Sequence, residues 1–256
     1  MTNSSGIGRF VWYELMTPDP KAAIAFYTDV VGWKTQAWEG SDYTMWIASD
    51  GPLGGVSGMP ERASKAGIPP HWTSNVLVAD VDATVAKARK MDAKVLVEPS
   101  DIPKVGRFAV IADPQGASIS VFAWTTPMPS HDGSKAGNFC WNELATTNHE
   151  SAFQFYSALF GWQKSREFDM GPQGKYLIYG AGGVDLGGMF TKGKDTPKPP
   201  SWLYYVEVMG LDAAVGRAKA KGAKILNGPM EVPGGARIAQ LADPQGVPFA
   251  LHEAKK

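Results

Sequence analysis

Two glutamates stand at matching places along the chain and have side chains suited to proton transfer. Glu14 follows Trp12 by two residues, and Glu143 follows Trp141 by two. Because side chains alternate along a strand, each glutamate shares a face with its tryptophan. A carboxylate among aromatic rings has a raised pKa and can act as a base or as a hydrogen-bond partner. Glu14 and Glu143 are therefore candidate catalytic residues.

Two arginines also recur, Arg107 and Arg237. Each is a candidate substrate-binding residue. The alternative is structural: the glutamates pair with these arginines or accept hydrogen bonds from neighbouring strands.

His252 is the third catalytic candidate. It stands in the last apolar run, where the matching position earlier in the chain is Phe122. With Glu143 it can form an acid/base couple or a weak metal site. The alternative is a histidine that only caps the end of its strand.

Four more residues are candidates for substrate binding. Asn75 and Tyr205 occupy matching positions and can donate hydrogen bonds to a ligand. Trp12 and Trp141 can stack on a ligand, or they can simply fill the interior. Because Asn75 and Tyr205 differ, the two candidate sites are expected to be unlike each other.

The candidates recur because the chain repeats itself. Trp12 returns as Trp141, and the turn sequence Asp-Pro-Gln-Gly at 113–116 returns unchanged at 243–246. We predict one domain over residues 8–125, a linker rich in turn formers over 126–137, and a second domain over 138–254. Each domain shows a fainter internal repeat, which suggests four strand–helix–strand–strand–strand modules.

Local signals place the elements. Asp19 is a good helix N-cap, and Pro20 suits the first helical position. The glycine at position 32 then ends the helix. The turn 113–116 is expected to close a hairpin. Strands are predicted over Phe10–Met16, Tyr43–Ala48, Val56–Met59, Trp72–Val78, Lys94–Val97, Phe108–Ala112 and Ser118–Trp124.

Composition limits the function. Twenty-five basic residues balance 25 acidic ones, which gives no electrostatic basis for binding nucleic acid. A single cysteine, Cys140, excludes an intrachain disulfide and is interpreted as a core residue. The first nine residues lack the apolar run of a signal peptide, and no stretch is long enough to cross a bilayer. We expect a cytoplasmic protein without nucleic-acid or membrane partners.

The order of elements resembles the vicinal oxygen chelate superfamily, which includes glyoxalase I, extradiol dioxygenases and bleomycin-resistance proteins. The resemblance is carried by Phe-Tyr within the first helix followed by Gly-Trp at the end of that helix, and by the Asp-Pro-Gln-Gly hairpin. Each is found twice in the same order. It implies an α+β fold, with tandem domains whose sheets form two cup-shaped half-open barrels. It also implies a small-molecule ligand inside a cup.

The same resemblance implies metal ligands on the first, fourth, fifth and eighth strands. The fourth strands, around Gly55–Met59 and Gly188–Phe190, contain no acid or histidine. The other mapped positions hold Trp12, Thr73 and Ser120 in the first copy, and Trp141, Leu203 and Ala250 in the second. Divalent metals rarely use such side chains, so the usual metal site is expected to be absent.

Three functions stay open at this point. The first is a small-molecule-binding protein or metal-independent enzyme that needs no cofactor. The second is a metal-dependent lyase or dioxygenase that uses a divalent ion on displaced ligands such as Glu14, Glu143 and His252. The third is a non-catalytic resistance or sequestration protein. The chain is expected to be a monomer with two pseudo-equivalent domains or a homodimer.

Overall fold

The computed structural model describes residues 6–126, 131–193 and 199–255, so residues 127–130 of the predicted linker lie outside it. The helices are α1 (Pro20–Val30), α2 (Glu61–Lys65), α3 (Val81–Arg89), α4 (His149–Phe160) and α5 (Leu211–Ala220). The strands of the first copy are β1 (Phe10–Thr17), β2 (Lys34–Ala37), β3 (Thr44–Ala48), β4 (Gly51–Gly58), β5 (His71–Leu77), β6 (Lys94–Ile102), β7 (Gly106–Ala112) and β8 (Ser118–Trp124). Those of the second are β9 (Phe139–Thr146), β10 (Gln163–Asp169), β11 (Lys175–Ala181), β12 (Val184–Thr191), β13 (Ser201–Glu207), β14 (Lys224–Glu231), β15 (Arg237–Ala242) and β16 (Pro248–Glu253). None of the described helices has the length and apolar character needed to span a bilayer.

The strands form two eight-stranded mixed sheets. Their spatial orders are β2-β3-β4-β1-β5-β8-β7-β6 and β10-β11-β12-β9-β13-β16-β15-β14, so the sequence repeat is also a structural repeat. In the first sheet β1 pairs with β4 and β5 with β8 in parallel, while hairpin neighbours are antiparallel. Each order begins and ends on different strands, so neither sheet is a closed barrel. The predicted α+β class, with four strand–helix–strand–strand–strand modules in two tandem sheets, is confirmed.

The helix and hairpin signals act as predicted. The Asp19 carboxylate accepts the amide of Ala22 at 3.0 Å, with Pro20 in the first turn. In the second copy Asn148 caps α4 in the same way through Ser151. The Asp-Pro-Gln-Gly turn closes the β7–β8 hairpin, and its glycine takes a φ of 101° that suits a residue without a Cβ.

Strand β2 was not located from the sequence. Its four residues, Lys34–Ala37, are all exposed, so they carry no apolar alternation. It forms an edge of the first sheet, where β3 is its one partner among the described strands. Such a strand is held by backbone hydrogen bonds, and those leave no trace in side-chain pattern.

The described residues divide into two compact units. One contains residues from within 1–11, 74–130 and 142–202, and the other from within 12–73, 131–141 and 203–256. Both copies of the sequence repeat therefore contribute to each unit. The domain boundaries at 8–125 and 138–254 stay a prediction.

The second of these units, which contains α1 and α5, has a core of aromatic rings. Tyr27 on α1 is 1% exposed, and its ring lies within 6 Å of the Trp33, Trp46 and Trp72 rings. Its hydroxyl donates to the Asp243 carboxylate at 3.1 Å and accepts from the Trp72 indole at 3.1 Å. The first copy's helix is thereby joined to the second copy's hairpin.

The other unit, which contains α3 and α4, has the matching contact. The Tyr156 hydroxyl donates to the Asp113 carboxylate at 3.0 Å. Trp162 is 1% exposed and stacks on Tyr179. Trp33, Trp46 and Trp72 in the first core and Trp162 here are all buried and pack against other rings.

Candidate functional site

Glu14 lies in a hydrogen-bonded set with two aromatic side chains. The Trp12 indole N–H donates to the Tyr43 hydroxyl at 2.8 Å, and that hydroxyl donates to Glu14 Oε1 at 3.1 Å. Alternation along β1 puts Trp12 and Glu14 on one face, as the sequence predicted. All three side chains are half-buried. We call this group the Glu14 set.

A glycine makes room for the Glu14 set. Gly55 on β4 is the register partner of Glu14 on β1. A Cβ at position 55 would lie 2.2 Å from the Tyr43 ring, far inside van der Waals contact. Gly55 is the second glycine of a Gly-Gly pair at 54–55 that returns at 187–188, and it lets the Tyr43 ring lie across β4 and reach Glu14.

The surroundings change the acidity of both groups. Burial raises the pKa of Glu14 above its ordinary value, although the hydrogen bonds from Tyr43 and Trp12 act in the opposite direction. Burial, together with the nearby Glu14 carboxylate, also raises the pKa of Tyr43. Tyr43 is thus a hydrogen-bond donor throughout the physiological range, and Glu14 is a carboxylate that takes up a proton more readily than usual.

The second copy repeats this arrangement with Glu143. The Tyr176 hydroxyl donates to Glu143 Oε2 at 2.9 Å. Gly188 pairs with Glu143 in register, and a Cβ there would lie 2.2 Å from the Tyr176 ring. Tyr43 and Tyr176 were missed from the sequence. A signal was present, because each tyrosine stands twelve residues before the second glycine of the repeated Gly-Gly pair.

His252 has a different partner from the one the sequence suggested. Its Nδ1 forms a close hydrogen bond with Glu207 Oε2, and the predicted pairing of His252 with Glu143 is wrong. Glu207 is 7% exposed, and its other oxygen accepts the Ala254 amide at 2.9 Å. Glu207 was missed, although it continues the alternation of Leu203 and Tyr205 along β13.

Cys140 completes this second group. Its ligand atom and those of Glu207 and His252 all lie within 4.8 Å of one another. The thiol also donates weakly to the Tyr205 carbonyl at 3.5 Å. Burial and the nearby Glu207 carboxylate raise the pKa of the Cys140 thiol. The interpretation of Cys140 as a core residue missed these neighbours.

The polar substrate-binding candidates Asn75 and Tyr205 are buried, with 4% and 2% exposure. Asn75 pairs with Ser120 in the β5–β8 register, and Tyr205 pairs with Ala250 in the β13–β16 register. The Tyr205 hydroxyl accepts a hydrogen bond from the Gln240 amide at 2.6 Å. The two copies therefore differ at this position, as expected. The binding role of these residues stays a prediction.

The two arginines are bound to other carboxylates. Arg107 forms ion pairs with Asp82 at 2.7 Å and Asp101 at 2.8 Å, and it lines an open groove of about 430 Å³. Arg237 pairs with Asp212 at 2.8 Å. None of these three ion pairs involves Glu14 or Glu143, so among the described residues these arginines are held by aspartates rather than by the two glutamates. Substrate binding by either arginine stays a prediction.

Comparisons with known proteins place these geometries in context. A family model described as Glyoxalase/Bleomycin resistance protein/Dioxygenase superfamily matches residues 9–121 and 140–251. The chain is 31% identical over 247 residues to "Putative glyoxylase CFP32" of Mycobacterium tuberculosis, covering 94% of this chain and 92% of that protein. It is 28% identical over 266 residues to "Anthracycline biosynthesis protein DnrV" of Streptomyces peucetius, covering 97% and 94%.

Solved structures share the fold at low identity. The Mn(II)-bound glyoxalase from Novosphingobium aromaticivorans superimposes with a TM-score of 0.69 at 16% identity, covering 98% of this chain and 83% of that one. Homoprotocatechuate 2,3-dioxygenase from Brevibacterium fuscum gives 0.70 at 13% identity, covering 98% and 81%. These neighbours establish the architecture and leave the chemistry to the residues of this chain.

Proposed function

Because the chain belongs to the Glyoxalase/Bleomycin resistance protein/Dioxygenase superfamily, we propose that it binds a small organic molecule and acts on it through Glu14 and Glu143. No metal at the family's usual ligand positions takes part. The observation that carries this proposal is the tyrosine–glutamate hydrogen bond, present in both copies at the same place in the fold. The predicted membership of the superfamily is confirmed.

The Glu14 set has the features of a general base. Its raised pKa brings the carboxylate closer to neutral pH, where a base both exists in its charged form and accepts protons well. Tyr43 fixes one carboxylate oxygen, and Trp12 in turn fixes Tyr43. The carboxylate is therefore oriented before a ligand arrives, which reduces the cost of binding and of proton transfer.

The residues at the mapped metal positions support the metal-free part of the proposal. In the first copy they are an indole, Trp12, and two hydroxyls, Thr73 and Ser120. In the second copy they include the alkyl side chains of Leu203 and Ala250. Divalent ions in proteins take thiolate, imidazole and carboxylate ligands far more often than these groups.

The names of the relatives suggest two classes of ligand. DnrV is named for anthracycline biosynthesis, which suggests a planar, polycyclic aromatic molecule that a half-buried indole such as Trp12 can stack against. CFP32 is named as a glyoxylase, which suggests a 2-oxoaldehyde or its thiol adduct. We favour the aromatic ligand, because the carboxylate of the Glu14 set lies beside aromatic rings.

The test is a fluorescence titration with a commercial anthracycline, which is itself fluorescent. We expect saturable binding by the wild-type chain and at least tenfold weaker binding by the double variant Glu14→Gln/Glu143→Gln, since a neutral amide cannot form the charge-assisted hydrogen bond that a carboxylate makes to a ligand donor. Glu150→Gln on the exposed face of α4 is the matched control and should bind like the wild type. Each single variant shows whether its own copy binds.

Two results would count against the proposal. Equal binding by the wild type and the double variant would show that the two glutamates do not contribute to ligand binding. Absence of saturable binding by the wild type, both for the anthracycline and for a methylglyoxal–thiol adduct, would remove the two ligand classes. Binding by a Cys140→Ser variant, which lacks the thiol beside Glu207 and His252, should also be unchanged after treatment with a chelator, and its loss there would contradict the metal-free part.

A further inference from the structure

The group of Cys140, Glu207 and His252 differs from the Glu14 set in chemistry and place. It brings together a thiol, a carboxylate and an imidazole, the three side-chain types that bind zinc. None of the three stands at a mapped ligand position. Cys140 precedes Trp141 by one residue, Glu207 follows Leu203 by four, and His252 follows Ala250 by two.

The first copy provides an internal comparison for this group. Glu207 N donates to Asn138 O in the second copy, and Leu77 N donates to Arg9 O in the first. These two backbone bonds make Leu77 the counterpart of Glu207.

The same reasoning identifies the other two counterparts. Val208 N donates to His252 O, and Val78 N donates to Phe122 O, so Phe122 corresponds to His252. Arg9 and Asn138 are counterparts by the first pair of bonds. Val11 and Cys140 each follow them by two residues, so Val11 corresponds to Cys140. The first copy thus builds the same backbone around Val11, Leu77 and Phe122.

This comparison shows that the fold does not need polar side chains here. A buried carboxylate such as Glu207 is costly unless partners or a cation compensate for its lost hydration. The apolar trio of the first copy avoids that cost entirely. Glu207 has His252 and the Ala254 amide as partners, but the fold does not demand the polar trio, and a bound cation accounts for its presence in the second copy.

We propose that Cys140, Glu207 and His252 bind a zinc-class divalent cation in the second copy. On binding, the cation displaces the thiol proton to solvent, and the neutral His252 ring exchanges its Nδ1 proton through solvent for one on Nε2, which leaves Nδ1 available to the ion. The ligands are then a thiolate, a carboxylate and a neutral imidazole. Their two negative charges balance the two positive charges of the ion, which suits a buried site.

The geometry needs only a small adjustment. Tetrahedral ligands of zinc lie about 3.5 Å apart, given zinc–ligand bonds of about 2.0–2.3 Å. The three ligand atoms lie within 4.8 Å of one another, so the thiol moves closer by about 1 Å, while His252 Nδ1 and the hydrogen-bonded Glu207 oxygen move apart by a similar amount. His252 keeps 23% of its side chain exposed, which leaves a route for the ion and for a water or an oxygen ligand at the fourth position.

The test uses Co²⁺ as a spectroscopic substitute for Zn²⁺ on the full chain after removal of bound metal with a chelator. Because Cys140 is the single cysteine, a thiolate-to-cobalt charge-transfer band can come only from this site. We expect the band to saturate at one Co²⁺ per chain and to disappear when Zn²⁺ is added. Cys140→Ser should lose the band, and Glu207→Gln should weaken Co²⁺ binding at least tenfold.

Two further variants keep the test decisive. The triple variant Cys140→Val/Glu207→Leu/His252→Phe installs the side chains that the first copy carries, so it should fold, as circular dichroism can verify, and bind no Co²⁺. His131→Gln is the matched control, because His131 also pairs with a carboxylate, that of Asp50, but has no thiol beside it. It should bind Co²⁺ like the wild type.

The proposal is overturned if the wild type shows no charge-transfer band at saturating Co²⁺. It is also overturned if the triple variant folds and binds Co²⁺ as tightly as the wild type. Both results are independent of anthracycline binding, so this site and the proposed function of the Glu14 set can fail separately.

Discussion

Replacing Tyr27 by phenylalanine tests whether burial determines how much a hydrogen-bonded tyrosine contributes to the free energy of unfolding. The Tyr27 hydroxyl accepts from the Trp72 indole and donates to the Asp243 carboxylate, both at 3.1 Å. The Tyr43 hydroxyl makes the same two kinds of hydrogen bond, because it accepts from the Trp12 indole and donates to the Glu14 carboxylate. Tyr27 is 1% exposed and Tyr43 is half-buried, so the two Tyr→Phe variants differ mainly in access of water.

The magnitude follows from the groups left without partners. Tyr27→Phe leaves a buried indole N–H and a buried carboxylate each short of one hydrogen bond, at about 1–3 kcal/mol apiece. We expect a loss of about 2–5 kcal/mol in the free energy of unfolding, or a fall in Tm of roughly 5–15 °C. Tyr43→Phe should lose about 1 kcal/mol or less, since water can replace its hydroxyl.

The effect should also depend on pH. Burial raises the folded-state pKa of Asp243, and the Tyr27 hydrogen bond lowers it. A raised carboxyl pKa contributes stability that is fully present below the unfolded pKa and is lost as pH rises through the folded value. Removing Tyr27 raises that pKa further. The gap between variant and wild type should therefore be smaller in acid, where the unpaired indole accounts for most of it, and widen as pH rises.

The assay is urea unfolding of both variants and the wild type, followed by tryptophan fluorescence and far-ultraviolet circular dichroism. The unfolding curves are measured at neutral pH and again at about pH 4, close to the ordinary pKa of an aspartate. Equal losses for Tyr27→Phe and Tyr43→Phe would refute the argument from burial. A Tyr27→Phe loss that grows toward acid pH would refute the assigned role of Asp243.

Three further outcomes are expected. Gly55→Ala forces a Cβ against the Tyr43 ring, so it should weaken anthracycline binding at least as much as Tyr43→Phe does in the same titration. Arg107→Ala should change the free energy of unfolding by less than about 1 kcal/mol, because its partner Asp82 is exposed, and a larger loss in urea unfolding would contradict this. Alkylation of Cys140 by iodoacetamide should be slower than that of an exposed cysteine in a short peptide, because the raised pKa of Cys140 leaves little thiolate. Mass spectrometry after timed quenching measures the rate.

Much of the fold was predictable because its signals are local. The Asp19 cap, the hairpin turn at 113–116 and the apolar faces of the central strands each depend on residues close in sequence. The duplication then doubled every signal, which made the family resemblance secure. Strand β2 escaped because an exposed edge strand has no apolar alternation to detect.

The candidate sites divided along the same line. Glu14 was found because it shares β1 with Trp12, two residues away. Its partner Tyr43 directly precedes β3, on the far side of β4 from β1. The Tyr43 ring reaches Glu14 only because Gly55 has no Cβ. That requirement is visible only once β4 is known to lie between β1 and β3.

His252 shows why the second group could not be assembled from the sequence. The parallel register of β13 and β16 makes Glu207 its neighbour, although 45 residues separate the two along the chain. Cys140 comes from a third strand, β9. A register shift of one residue between β13 and β16 would turn Glu207 or His252 to the opposite face and separate them. The cluster is therefore a consequence of strand register, and the apolar counterparts in the first copy show that the same register is maintained without it.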